Sequence, residues 1–213
     1  KKNIFGVVFY ISSGDNSINL LSSSGNIEPE SPYFIASINK LFISSILLKL
    51  YAAGQIDINN KISEYLPKDF MTGLHIHNGK EYSNDLTIVH LLSHTSGLPC
   101  YLTDKQADGR KVMAELEAGL DQRWPVDKVI KTAKTMKTHF PPEKKGKAKY
   151  SDTNYQILNL IIEAITGMSV QIVLKNLFQE LNLEQTYVFE NIQDDSFAPI
   201  YYKSKQIKIP LFL

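Results

Sequence analysis

Phe34-Ile35-Ala36-Ser37-Ile38-Asn39-Lys40-Leu41-Phe42 is the stretch on which the reading of this chain turns. An apolar run continues from it to Ala53, and Gly54 stands where a left-handed residue would close a helix. A helix is therefore predicted over about 37–53. Leu41, Phe42, Ile43, Ile46, Leu47, Leu48, Leu50 and Tyr51 leave it little polar face, so it should be buried. Ser37 and Lys40, three residues apart, share one face at its start. Desolvation and the positive end of the helix dipole both disfavour an ammonium there. Both effects lower the lysine pKa, which suits a general base for a serine nucleophile. The Ser37 N–H, one of the free donors at the helix start, suits an oxyanion contact. Taken alone, Ser-x-x-Lys equally describes a serine cap followed by a lysine that reaches for solvent.

A second segment sharpens the reading. Tyr150-Ser151-Asp152-Thr153-Asn154-Tyr155 follows a Pro- and Lys-rich loop and opens another apolar run. A tyrosine placed before a helix can pass a proton when a nearby ammonium lowers its pKa, while Ser151 or Asp152 caps the helix. Elsewhere, residues 4–11 read as a strand with Phe5, Val7, Phe9 and Ile11 on one face. Turn chemistry at 12–17 and a return over 18–21 complete a hairpin. Further helices are expected over about 87–93, 126–138, 153–166 and 170–181, with short extended pieces at 186–189 and 197–202. Strands first and helices after predict an α+β fold or a sheet with a helical insertion, rather than alternating βαβ units.

The run around Ser37 resembles the active-site helix of the serine β-lactamase and penicillin-binding-protein superfamily, nearest to its class C β-lactamase-related hydrolases, D,D-peptidases and esterases. Four colinear segments extend the likeness. They are Ala53 to Ile58 with Tyr65-Leu66-Pro67, Leu86 to Pro99 (against "LLTHTSGLP"), Tyr150 to Tyr155 (against "YSNTNY"), and Leu181 to Thr186. The resemblance implies an antiparallel sheet flanked by helices plus a helical subdomain, with the site in the cleft between them. The sheet lobe would cover about 1–36 and 187–213, and the helical lobe about 55–186. It implies Ser37 as the acylated nucleophile, Lys40 as its activator and Tyr150 as the proton relay, with no metal or cofactor. His94 would be structural. The substrate implied is a small molecule or peptide, whether β-lactam, cell-wall peptide or ester. Export with the signal removed is the expected compartment, and the cytoplasm is the alternative.

Two departures stand out. The family usually carries Asn where this chain has Asp152, in contact with substrate and lysine. An ionised carboxylate cannot donate to a carbonyl and favours a charged Lys40, which predicts a shift from β-lactams towards ester, peptide or amine-bearing substrates. The family's third motif, Lys-Thr-Gly or His-x-Gly, is expected well downstream of the tyrosine. Here Lys-Thr occurs only at 131–132, 134–135 and 137–138, and no histidine follows His139. That strand normally supplies an oxyanion donor, whose loss costs ~10²–10³ in rate. The 213 residues are therefore read as an incomplete chain with its C-terminal strands missing and its oxyanion site open. The alternative function is an impaired relative that binds peptidoglycan-like or peptide ligands.

Composition narrows the remaining classes. Twenty-three Lys+Arg balance 22 Asp+Glu to a net charge of +1, which argues against a nucleic-acid partner. The balance conceals a lysine stretch over 128–149, fit for weak contact with an anionic surface or else a solvated face. A single cysteine, Cys100, excludes an internal disulfide framework and reads as an inert buried thiol. His75/His77 and His90/His94 lack the third ligand a metal site needs, so they read as structural or surface histidines. No apolar run reaches the ~18 residues of a membrane span.

Overall fold

A computed structural model of the chain describes residues 4–118, 124–189, 197–202 and 205–207. Strands β1 (Gly6–Ser12) and β2 (Asn19–Gly25) form an antiparallel hairpin, with Gly6 opposite Gly25 and Ser12 opposite Asn19. Helix α1 (Asn39–Ala52) follows a 3-10 turn at Ala36–Ile38, and the one-turn helix α2 is Lys68–Met71. Strands β3 (Ile76–His77) and β4 (Lys80–Glu81) make a second small hairpin. Then come α3 (Ile88–Leu92), α4 (Val112–Glu117), α5 (Val126–Thr135), α6 (Asp152–Thr166) and α7 (Val170–Glu180). Strands β5 (Ile200–Tyr202) and β6 (Lys205–Ile207) pair antiparallel. The fold is α+β with small antiparallel sheets. The segment 186–189 is irregular rather than a strand. Of the tail assigned to the sheet lobe, 190–196, 203, 204 and 208–213 lie outside the described residues.

The chain divides into two compact units, Lys1–Ala36 with Glu115–Arg123 and Phe189–Leu213, and Ser37–Ala114 with Trp124–Val188. In the first, the Phe5 ring stacks on Tyr201 at 4.2 Å, and Phe34, Phe189 and Phe197 pack ring to ring. Val7, Phe9, Tyr10 and Ile11 of β1 are exposed.

The second unit holds the larger core. Helix α6 lies at its centre against α1, α3, α5 and α7. Its Ile157, Leu158, Ile161 and Ile162 are spaced to fill one face and are fully buried. Gly167, in the left-handed conformation, closes it by donating its N–H to the Glu163 carbonyl. The expectation that α1 would be buried nearly all round needs correction. Ile43, Ile46 and Leu47 are buried towards α6 and α7, whereas Leu41, Leu48 and Tyr51 are exposed. A helix apolar all round has no preferred side of its own, so its neighbours decide which stripe is covered. No single helix among the described residues is long and apolar enough to cross a membrane.

Candidate active site

Four side chains named from sequence meet at the start of α1 and the start of α6. Ser37 Oγ lies 2.8 Å from Tyr150 OH, and Lys40 Nζ donates to Ser37 Oγ at 3.2 Å. Lys40 Nζ also pairs with Asp152 Oδ1 at 2.7 Å, and Tyr150 OH donates to the same oxygen at 3.2 Å. The Lys40 and Asp152 side chains are 19% and 16% exposed, so the pair is shielded from bulk water. Lys40 Nζ lies 5.2 and 5.4 Å from the ring centroids of Tyr150 and Tyr155, within cation–π range of both.

Local sequence explains the convergence. Ser37 sits in the 3-10 turn that leads into α1, one residue after Ala36, whose φ of 45° is a strained value for a residue with a side chain. The helical rise returns Lys40 to the Ser37 face one turn later. Asp152 occupies the first turn of α6, where the free backbone N–H groups favour an anion.

The loop after α3 seats this segment. Pro99 O accepts from Ser151 Oγ at 2.9 Å and Thr153 Oγ1 at 2.7 Å, and Tyr101 N–H donates to Thr153 Oγ1 at 3.1 Å. Ser96 Oγ donates to Asn154 Oδ1 at 2.8 Å. Gly97 has a φ of +73°, and a Cβ on it would run into the Phe140 carbonyl oxygen, so this crossing admits only glycine.

The electrostatics correct one expectation. Burial pulls the Lys40 pKa down, as the helix-start argument requires. Hydrogen bonds to Asp152 and Tyr150 and the charges of those groups outweigh it, so Lys40 sits above the ordinary lysine value. Lys40 is therefore an ammonium at neutral pH. Burial and the helix start lower the lysine pKa as expected, and the opposing pull of Asp152, joined by that of Tyr150, is the stronger of the two.

Two participants went unrecognised in the sequence. Cys100 Sγ donates to Asp152 Oδ2 at 3.4 Å and accepts from Asp152 N at 3.5 Å, and burial pushes its thiol pKa up. Tyr155 OH hydrogen-bonds Ser44 Oγ of α1 at 3.0 Å, which ties α6 to the lysine's helix. Tyr155 carried a signal, since it ends the segment that Tyr150 begins; Cys100 carried none.

The histidines weighed as metal ligands are bonded to protein atoms. His75 Nε2 lies 3.0 Å from Phe140 O, His77 Nδ1 lies 3.1 Å from Thr138 Oγ1, and His90 Nδ1 accepts from Thr87 N at 3.2 Å. Among the described residues no three His, Cys, Asp or Glu side chains converge as a metal site would require.

The chain matches the Beta-lactamase family over residues 1–206. A Salmonella typhimurium protein named "Putative D-alanyl-D-alanine carboxypeptidase" is 33% identical over 158 residues, covering 72% of this chain and 33% of that one. The crystal structure of a D-stereospecific amidohydrolase from Streptomyces sp. aligns with a TM-score of 0.71 at 27% identity, over 85% of this chain and 51% of that one. A penicillin-binding protein from Bacillus halodurans shares the fold with a TM-score of 0.67 at 21% identity, over 91% and 57%. The chain spans about a third of the length of the curated relatives it matches.

Proposed function

The chain belongs to the Beta-lactamase family, and from that premise we propose that it is a serine hydrolase that forms an acyl-enzyme on Ser37. One observation carries the reading. The Ser37 hydroxyl touches both a phenol and an ammonium, at 2.8 and 3.2 Å, in a shielded ion-pair network. Ser37 Oγ attacks the substrate carbonyl carbon while its proton passes to Tyr150 and the Tyr150 proton passes to the leaving nitrogen or oxygen. Tyr150 thus ends the step neutral. Lys40 acts by charge: its N–H stabilises the oxygen anion developing on Ser37. The Ser37 backbone N–H is one oxyanion donor. Water then clears the ester by the reverse relay.

The substrate class follows from Asp152 and from the relatives. An ionised carboxylate at this position accepts and does not donate, so it favours a substrate N–H or ammonium over a carbonyl. Relatives named for D-alanyl-D-alanine carboxypeptidase and D-stereospecific amidohydrolase activity point the same way. The proposed substrate is an amide, peptide or ester of D-amino-acid character, with β-lactams as poorer substrates. Cell-wall peptides lie outside the cytoplasm, so the proposal carries export with it.

The Lys40–Asp152 pair also favours a second reading, a peptide-binding relative whose lysine is withheld from base catalysis. Intact-mass analysis after treatment with a labelled penicillin or a fluorophosphonate separates the two. An adduct lost in Ser37→Ala supports the hydrolase, and identical behaviour of both proteins supports the binder.

The lysine stretch supports a weaker proposal. Lys128 lies over the Trp124 ring, Lys131 pairs with Asp127, and Lys134 donates to the Asp69 carbonyl, so the α5 lysines are engaged within the molecule. Lys144, Lys145, Lys147 and Lys149 are exposed and have no ion-pair partner among the described residues. Contact with an anionic polymer or membrane would use these four. Binding to such a surface that weakens with salt and with their replacement would support it.

A further inference from the structure

Tyr150 can relay a proton only if its phenol is held at Ser37, yet Tyr150 is itself half-exposed and precedes the first residue of α6. What holds it is His94, at the end of α3. The His94 carbonyl accepts from Lys149 N at 2.9 Å, and His94 Nδ1 accepts from Ser151 N at 3.2 Å. The two residues flanking Tyr150 are thus gripped by one residue, and the His94 ring lies 4.6 Å from the Tyr150 ring.

We propose that His94 is a positioning residue for Tyr150, and that only its neutral imidazole, with the proton on Nε2, holds the phenol at Ser37. The proposal rests on the serine-hydrolase reading and adds its regulation by pH. A backbone N–H can only donate, so the Ser151 contact fixes Nδ1 as an acceptor. Asn154 Nδ2, 3.3 Å away, aims a second donor at the same nitrogen, with its own oxygen already accepting from Ser96. A proton added at Nδ1 would face both donors and break the grip on Ser151.

The backbone adds to the argument. His94 has a φ of 58°, in the left-handed region that a side-chain-bearing residue occupies only under strain. That conformation aims the carbonyl at Lys149 while the ring reaches Ser151. Four groups face the ring from the elements around it: Lys40 on α1, Asp152 and Tyr155 on α6, and Tyr150. Burial first, and then the Lys40 charge, lower the His94 pKa below the usual 6.5, while Asp152 opposes them. His94 is therefore neutral at pH 7 and takes its proton only below pH 6.5. Acylation should fall as pH drops through that lower value.

Two variants test the grip. His94→Asn tolerates a positive φ and offers Oδ1 where Nδ1 stood, without titrating near neutrality. His94→Gly tolerates the φ and removes the ring. Ser37 labelling by a fluorophosphonate is followed against pH, with thermal melts to confirm folding, alongside Tyr150 13Cζ chemical shifts in tyrosine-labelled protein. His94→Asn should keep the labelling rate at pH 7.5 and lose the acidic limb below pH 6.5. His94→Gly should label at least about tenfold more slowly, as expected for a misplaced reacting group. The Tyr150 resonance should shift with the acidic transition in wild type and stay flat in His94→Asn. An acidic limb unchanged in His94→Asn, or full-rate labelling of His94→Gly, would overturn the proposal. A wild type that labels no better than Ser37→Ala would instead sink the hydrolase reading. The Tyr150 shift still decides the positioning role in that case, and a resonance indifferent to His94 protonation would refute it.

Discussion

At the scale of single residues, Asp152 decides most about the chemistry. Its carboxylate binds the Lys40 ammonium at 2.7 Å and the Tyr150 hydroxyl at 3.2 Å, so it sets the charge of the lysine and engages the relay together. Asp152→Asn removes the anion but keeps an acceptor of similar shape. The Lys40 pKa should fall, and turnover of a chromogenic cephalosporin should rise about tenfold relative to a simple ester, less than the ~10²–10⁴ that a full general base contributes. Equal rates for variant and wild type on both substrates would refute the role given to Asp152. That Ser37, Lys40, Tyr150 and Asp152 would meet was legible from sequence, because the two segments that carry them are short and local. The protonation state of Lys40 was not. It depends on a balance between burial, which lowers the pKa, and a partner 112 residues away, which raises it, and the sequence shows both directions without their relative strength. The Cys100–Asp152 contact was illegible for a similar reason, since no local pattern links a buried thiol to a carboxylate 52 residues further on.

At the scale of elements, the loop after α3 is the part whose shape the site depends on most. Two glycines with nearly equal φ separate conformational strain from steric exclusion. Gly54, at +70°, has open space around its missing side chain, whereas Gly97, at +73°, lies against the Phe140 carbonyl. Gly54→Ala should therefore cost about 1 kcal/mol, from strain alone. Gly97→Ala should cost about 3 kcal/mol or more, because the backbone of the crossing must move. Denaturant midpoints compare the two, and equal losses would contradict the crossing described. The positions of α1, α3, α5, α6 and α7 were legible to within a few residues, whereas the short α2 and α4 were not foreseen. Apolar runs with Gly at the ends mark α1 and α6, and Thr87 caps α3 through its side chain as a β-extended threonine should. The burial of α1 was not legible, because periodicity cannot select a face when every face is apolar.

At the scale of the whole molecule, pH dependence follows from the histidines. Burial is the leading cause that lowers His75, His90 and His94 below 6.5. The unfolded chain binds protons at these sites at a higher pH than the folded chain does. Their contribution to stability is thus complete above pH 6.5 and is lost as pH falls through and below that value. Denaturant midpoints should be flat from pH 8 to 7 and decline from pH 6.5 to 5. A midpoint that holds or rises on acidification would contradict this. Element order narrowed the class to α+β or a sheet with a helical insertion, and the small antiparallel sheets fit the first. The close pairing of β1 with β2 was legible too, from alternation and turn chemistry, but β3 and β4 were not, since two-residue strands leave no periodic signal.

The central claim is that Ser37 is a nucleophile set beside Tyr150 and Lys40. Intact-mass spectrometry of the protein after fluorophosphonate treatment tests it most directly. A single adduct on Ser37 is expected, absent in Ser37→Ala and slowed about 10²-fold or more in Tyr150→Phe, the scale of lost proton-transfer catalysis. An adduct that persists in Ser37→Ala, or wild-type protein that gains no mass, would contradict it.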